Sequence, residues 1–135
     1  MKYTVVAVGR MRAPFADDLA HYAKMLSGHA RVDLVEVRED DQVERRIPAR
    51  AYRVLLDVRG RTRDSVAFAR WLEERRRAGR DVCFVIGGAD GIELEPCDER
   101  LSFGPMTFPH QLARVMLVEQ LFRAHKILAG EPYHH

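Results

Sequence analysis

The chain has 135 residues, 47% hydrophobic and 31% charged, with a net charge of +2 and a pI near 8.7. That size fits one domain, residues 1–135, that buries about two-thirds of its unfolded surface, and the composition excludes a disordered chain. No apolar run approaches the ~20 residues that cross a bilayer, and the N-terminus enters a strand without a secretory-signal pattern, so no membrane association is expected.

Lys2–Val8 reads as a first strand ending at Gly9. Ala16–Ser27 follows as a helix with Leu19, Tyr22, Ala23 and Leu26 on one face, stopping near Gly28. Arg31–Val37 is a second strand. From Arg38 to Arg50 the chain is dense in charge, and Pro48 limits any helix there to a turn or two, so a mobile surface connection is expected. Tyr52–Val58 is a buried strand that should end at the Arg59-Gly60 turn. Asp64 or Ser65 caps a helix with Phe68, Trp71 and Leu72 inward, stopping at Gly79. Val82–Ile86 is a fully apolar fourth strand ending at Gly87-Gly88. A polar stretch holding Pro96 leads to a fifth strand at Leu101–Phe103 and a helix from about Pro109 to Ala129.

Strands alternating with helices specify an α/β fold with a mostly parallel sheet and flanking helices. Ligands in such sheets bind beyond the carboxyl ends of the strands. Three strand ends carry turn chemistry and are the candidate site: Asp57 to Gly60, Gly87-Gly88, and Gly104-Pro105. The last helix has Leu112, Val115, Met116, Leu117, Val118, Leu121, Phe122, Ile127 and Leu128 around most of its circumference. A helix apolar nearly all round needs cover on both sides, which points to a homodimer.

The two cysteines, Cys83 and Cys97, have neither disulfide-framework nor zinc-finger spacing, which fits the reducing cytoplasm. Cys83 reads as a small core residue. The basic residues are 19 Arg and 3 Lys, a bias that suits either source composition or phosphate recognition. His110 reads as a partly buried helix histidine and not a metal ligand, since no second ligand stands at the right spacing, and no metal is expected. Arg114 and Arg123 read as surface side chains laid over apolar neighbours. The runs Arg59, Arg61, Arg63 and Arg75, Arg76, Arg77, Arg80 read as solvated faces. Gly87-Gly88-Ala89-Asp90-Gly91 is compatible with a plain tight turn, and Gly9 stands alone after the first strand, so there is no dinucleotide fingerprint. On the residues alone, the chain is a dimeric α/β domain with a glycine-lined site of open chemistry, a non-catalytic nucleotide-binding dimer included.

The segments taken together carry a resemblance. Val54-Leu55-Leu56-Asp57 with Gly60, Phe84-Val85-Ile86-Gly87-Gly88-Ala89-Asp90-Gly91, the run Leu101-Ser102-Phe103-Gly104-Pro105-Met106-Thr107-Phe108-Pro109-His110-Gln111-Leu112-Ala113-Arg114, and Pro132-Tyr133-His134 are similar to the bacterial large-subunit rRNA pseudouridine N3-methyltransferases of the SPOUT (trefoil-knot) class. The similarity covers essentially the whole chain. It implies a C-terminal trefoil knot, S-adenosyl-L-methionine as cofactor, and methylation of N3 of a pseudouridine in 23S rRNA of the large subunit or assembled ribosome. Another rRNA or tRNA site is the alternative substrate within the class. The resemblance assigns cofactor contacts to Leu56, Gly87, Phe103, Gly104, Pro105, Met106, Thr107 and Phe108, and RNA-side catalytic roles to Arg123, Tyr133 and His134. Two departures stand out: the Arg38–Arg50 connection is shorter than usual, and His135 stands where the family usually has Arg or Lys.

Overall fold

The computed structural model of the chain describes residues 1–133; the role expected of His134 and the departure at His135 lie outside the described residues. Five strands, β1 (Lys2–Val8), β2 (Arg31–Val37), β3 (Tyr52–Thr62), β4 (Val82–Ile86) and β5 (Glu99–Ser102), form one sheet in the order β2-β1-β4-β3-β5. Every pairing is parallel. Three helices, α1 (Phe15–Ser27), α2 (Ser65–Arg77) and α3 (His110–Leu128), connect or follow them.

The period-two alternation of side chains divides the core in two. Tyr3, Val5, Ala7, Val54, Phe84 and Ile86 face the three helices, meeting Leu19 and Leu26 of α1, Phe68 and Leu72 of α2, and Leu117 and Leu121 of α3. Val6, Val8, Val37, Leu55, Cys83 and Val85 face the other way. Among the described residues no α-helix covers that second face. It is closed by Val43 and Ala51 of the charged connection and by Leu94 of the stretch before β5.

This second face corrects the expectation of a mobile connection between Arg38 and Arg50. Asp40–Gln42 and Glu44–Arg46 form two short 3-10 turns. Val43 between them is 2% exposed, the Glu39 and Gln42 side chains cap the first turn reciprocally, and Glu44 clamps Arg53 of β3 at 2.6 and 2.7 Å. The segment is charged on its outside and anchored by Val43 with the partly buried Ile47, too sparse a pattern to read as structure.

β3 also departs from expectation, running through the Arg59-Gly60 turn to Thr62. Leu56 and Arg61 both pair with Leu101, so residues 57–60 stand out of the ladder as a bulge. Gly60 makes this possible: a Cβ there would lie 2.6 Å from the Arg100 carbonyl carbon. The fifth strand sits two residues earlier in the chain than expected at its start and ends at Ser102. Elsewhere the local signals hold. Asp64 caps α2 by accepting from the Ala67 N–H at 2.7 Å, and Gly79 past its end takes φ +73°.

The apolar circumference of α3 has a different cause from the one expected. The helix lies on the sheet between α1 and α2, so its own chain covers three sides. Leu117, Val118 and Leu121 are fully buried and Phe122 nearly so. Of the nine apolar positions, Leu112, Met116, Ile127 and Leu128 keep some exposure.

Candidate ligand cleft at the carboxyl edge of the sheet

Because β4 lies between β1 and β3, and β5 flanks β3, the three turns singled out in the sequence come together at one end of the sheet. They enclose a cleft of about 630 Å³, a size that suits a cofactor. Leu56, Asp57, Val58 and Arg59 of the β3 bulge form one wall, the turn from Gly87 to Glu93 the second, and Phe103, Gly104, Met106, Thr107, Phe108 and Pro109 the third. Seven of the eight expected cofactor contacts therefore line it: Leu56, Gly87, Phe103, Gly104, Met106, Thr107 and Phe108. Pro105 does not line it and is exposed.

The walls are held by backbone hydrogen bonds more than by side chains. Gly91 N–H donates to Gly88 O at 3.0 Å, closing the second wall, with Gly91 at φ +75°. The Ser102 hydroxyl donates to Val58 O at 3.1 Å and accepts from Gly104 N–H at 3.0 Å, which ties the first wall to the third. Asp57, at the rim, is clamped by Arg59 at 2.9 Å and lies 3.6 Å from Arg100. The hydrogen bond from Arg59 holds the Asp57 carboxyl below the usual range, so it is ionised.

His110, from the first turn of α3, closes the back of the cleft. Its Nδ1 is buried without a hydrogen-bond partner among the described residues. Burial, then the charges of Arg114 and Arg12, lower its pKa, so the ring is neutral. Behind it, Arg114 corrects the surface reading. It is 2% exposed, donates to Val8 O at 3.0 Å and to Glu36 Oε2 at 3.2 Å, and joins α3 to the ends of β1 and β2. Local sequence could not show this, because both partners are distant in the chain.

Two of the residues expected on the RNA side, Arg123 and Tyr133, form a separate cluster. Arg123 pairs with Glu119 Oε2 at 2.8 Å, and its guanidinium sits 4.6 Å from the centre of the Tyr133 ring. Tyr133 donates to the same carboxylate at 3.0 Å and packs edge-on against Phe122. Burial and then Glu119 push the Tyr133 hydroxyl up to about 12, so it remains a proton donor. Neither Arg123 nor Tyr133 lines the cofactor-sized cleft. Glu119, which sequence reasoning missed although it stands one helical turn before Arg123, lines a neighbouring groove of about 510 Å³ with Tyr22, Met116 and Gln120. Leu101, Ser102 and Phe103 belong to both hollows and separate them.

Among the described residues no group of three His, Cys, Asp or Glu side chains has the arrangement to hold a metal ion, and no helix is long and apolar enough to cross a membrane. The family described as "Predicted SPOUT methyltransferase" matches residues 1–134. The chain is 46% identical to the "Ribosomal RNA large subunit methyltransferase H" of Gluconacetobacter diazotrophicus, over 96% of this chain and 95% of the relative. It is 44% identical to the protein of that name from Dinoroseobacter shibae and 37% identical to that from Carboxydothermus hydrogenoformans, each over 99% of both chains. The last two alignments span 154 and 158 positions, more than this chain has residues, so those relatives carry segments that it lacks.

Proposed function

Because the chain belongs to the SPOUT methyltransferase family, we propose that it is an rRNA methyltransferase that uses S-adenosyl-L-methionine to methylate N3 of a pseudouridine in 23S rRNA of the large ribosomal subunit, in the cytoplasm. The observation that carries this reading is the convergence of the β3 bulge, the Gly87–Glu93 turn and the Phe103–Pro109 loop on one cleft. Its walls fit the cofactor's chemistry. Leu56, Ile86, Ile92, Leu101 and Phe103 offer apolar surface to an adenine ring, the glycine turns offer backbone donors and acceptors, and Asp90, which no arginine engages among the described residues, suits a cationic sulfonium. The trefoil knot that the resemblance implies would involve residues 103–110, which join the edge strand β5 to α3.

When bound, the cofactor supplies an electrophilic methyl group. The chain's residues must align a ring nitrogen with it and favour loss of the N3 proton. The half-buried, neutral His110 and the ionised Asp57 border the cleft without a free acidic proton to compete there. Arg123 is a permanent cation suited to a phosphate or a developing anion, and Tyr133 and His134 are the tail residues to which the resemblance gives the other RNA-side roles. Since Arg123 and Tyr133 do not line the cleft of their own chain, we read the active form as a homodimer in which α3 and the tail of one copy approach the cleft of the other.

Two measurements test this reading. Calorimetry should detect S-adenosyl-L-methionine and its demethylated product but not NAD. Deleting residues 133–135 should abolish methyl transfer to large subunits while cofactor affinity stays within about twofold, the mark of groups used after cofactor binding. NAD binding in place of S-adenosyl-L-methionine would refute the reading.

A further inference from the structure

The arginines divide into two sets. Ten of the 19 are engaged by carboxylates, including Arg53, Arg59, Arg63, Arg76, Arg100, Arg114 and Arg123. Among the described residues the other nine have no carboxylate partner, and five of them, Arg10, Arg12, Arg38, Arg45 and Arg46, form one group, all exposed. They are scattered in sequence but adjacent in the fold. Arg10 and Arg12 follow β1 and Arg38 follows β2, at the carboxyl edge of the β1–β2 half of the sheet, and Arg45 and Arg46, on the second 3-10 turn, line one groove with Arg38.

That rim continues from the cleft. Gln111, next to His110, accepts from Arg12 N–H at 3.0 Å and donates to Arg10 O at 3.2 Å. The Gly9 N–H donates to Val37 O at 2.8 Å and joins the two strand ends. Beyond this junction lies a groove of about 510 Å³ lined by Glu36, Val37, Arg38, Gln42, Arg45 and Arg46. Its one carboxylate is already engaged: Glu36 Oε2 binds Arg114 at 3.2 Å and the Met11 N–H at 2.7 Å. Of the neighbouring acids, Glu39 caps the first turn, Glu44 holds Arg53, and Asp40 and Asp41 do not line the groove.

Resting on the methyltransferase reading, we propose that this rim is the docking surface for the phosphate backbone of the structured rRNA whose base enters the cleft. Charge complementarity selects the occupant, since an open groove with three unpaired guanidiniums and no free carboxylate matches successive phosphates. Shape and backbone contacts of this kind are how folded RNA is held. The modest net charge of the chain hides the rim, because ten of the other fourteen arginines are consumed in ion pairs.

The test compares two double variants with the same change in net charge. Arg45→Gln with Arg46→Gln alters the rim; Arg31→Gln with Arg50→Gln alters exposed, unpaired arginines at the start of β2 and before β3, at the opposite edge of the sheet. Binding to purified 23S rRNA is measured from about 0.05 to 0.3 M salt, and S-adenosyl-L-methionine affinity by calorimetry. The rim variant should reduce the slope of log affinity against log salt by about 1.8 and weaken binding by some tens of fold near 0.1 M salt, with unchanged cofactor affinity. The control should match wild type. If the rim double variant loses cofactor binding, the single variants replace it, each with a slope change of about 0.9. A rim variant with the wild-type slope, or a control with an equal loss, overturns the proposal. Wild type that methylates no rRNA at any salt, whether free, in large subunits or in assembled ribosomes, overturns the methyltransferase reading instead.

Discussion

Gly87→Ala tests how the cleft is built. A Cβ at Gly87 would lie 2.8 Å from the Gly91 carbonyl carbon and 2.9 Å from the Ile92 nitrogen. Both are backbone atoms, so no rotamer change relieves the contact, and the turn itself must move against its Gly91–Gly88 hydrogen bond. Overpacking of this kind costs about 1–3 kcal/mol. At about 4 °C per kcal/mol for a chain of this size, Tm should fall by roughly 4–12 °C. The displaced turn is a wall of the cleft, so S-adenosyl-L-methionine affinity should fall at least tenfold in calorimetry. Gly79→Ala supplies the contrast. Its Cβ would meet nothing within 4 Å, but Gly79 sits at φ +73°, so strain costs about 1–2 kcal/mol while cofactor affinity stays put. Wild-type Tm and affinity in Gly87→Ala, or an equal loss of affinity in Gly79→Ala, would refute the reasoning.

Arg114→Met removes the donor to Val8 O and Glu36 and should cost about 2–3 kcal/mol in urea unfolding; Glu36 is 44% exposed and can rehydrate, which keeps the loss below that of a fully buried pair; unchanged stability contradicts the anchoring role. His125, 2.7 Å from the Tyr3 hydroxyl, has its pKa lowered chiefly by burial, as does His110. Below about pH 6.5 the unfolded chain therefore takes up protons that the folded chain declines, so Tm should be full at pH 7.5 and drop by pH 5.5; a flat or rising profile across that window contradicts it. Met116→Glu, at a half-exposed position beside the groove shared with Glu119, should give a folded monomer by sedimentation. Leu121→Glu, fully buried in its own chain, should not fold; a folded Leu121→Glu, or Met116→Glu with the wild-type mass, counts against this division of α3.

The sequence was most legible where a pattern is local. β1 and β4 are largely apolar runs and β2 mixes Val and Leu with charged residues; the limits of all three match the structure residue for residue. The cap at Asp64 and the stop at Gly79 depend on neighbours a few residues away. The extension of β3 past Gly60 was not legible, because it depends on the β5 backbone some forty residues later. The burial of Arg114 was hidden for the same reason, and Val43 alone was too slight a signal for the ordered connection. For the site, the glycine turns could be named one by one, but their convergence follows from strand order, which periodicity does not encode. The resemblance supplied Leu56, Gly87 and most of the third wall. It did not indicate Glu119, which holds Arg123 and Tyr133 together.

The central claim is tested most directly by incubating the protein with large ribosomal subunits and S-adenosyl-L-methionine carrying a labelled methyl group, then locating the label by nuclease digestion and mass spectrometry of the rRNA. The account predicts a single labelled position, a 3-methylpseudouridine in 23S rRNA. Label confined to tRNA or to another rRNA nucleotide, or no transfer by protein that binds the cofactor, would contradict it.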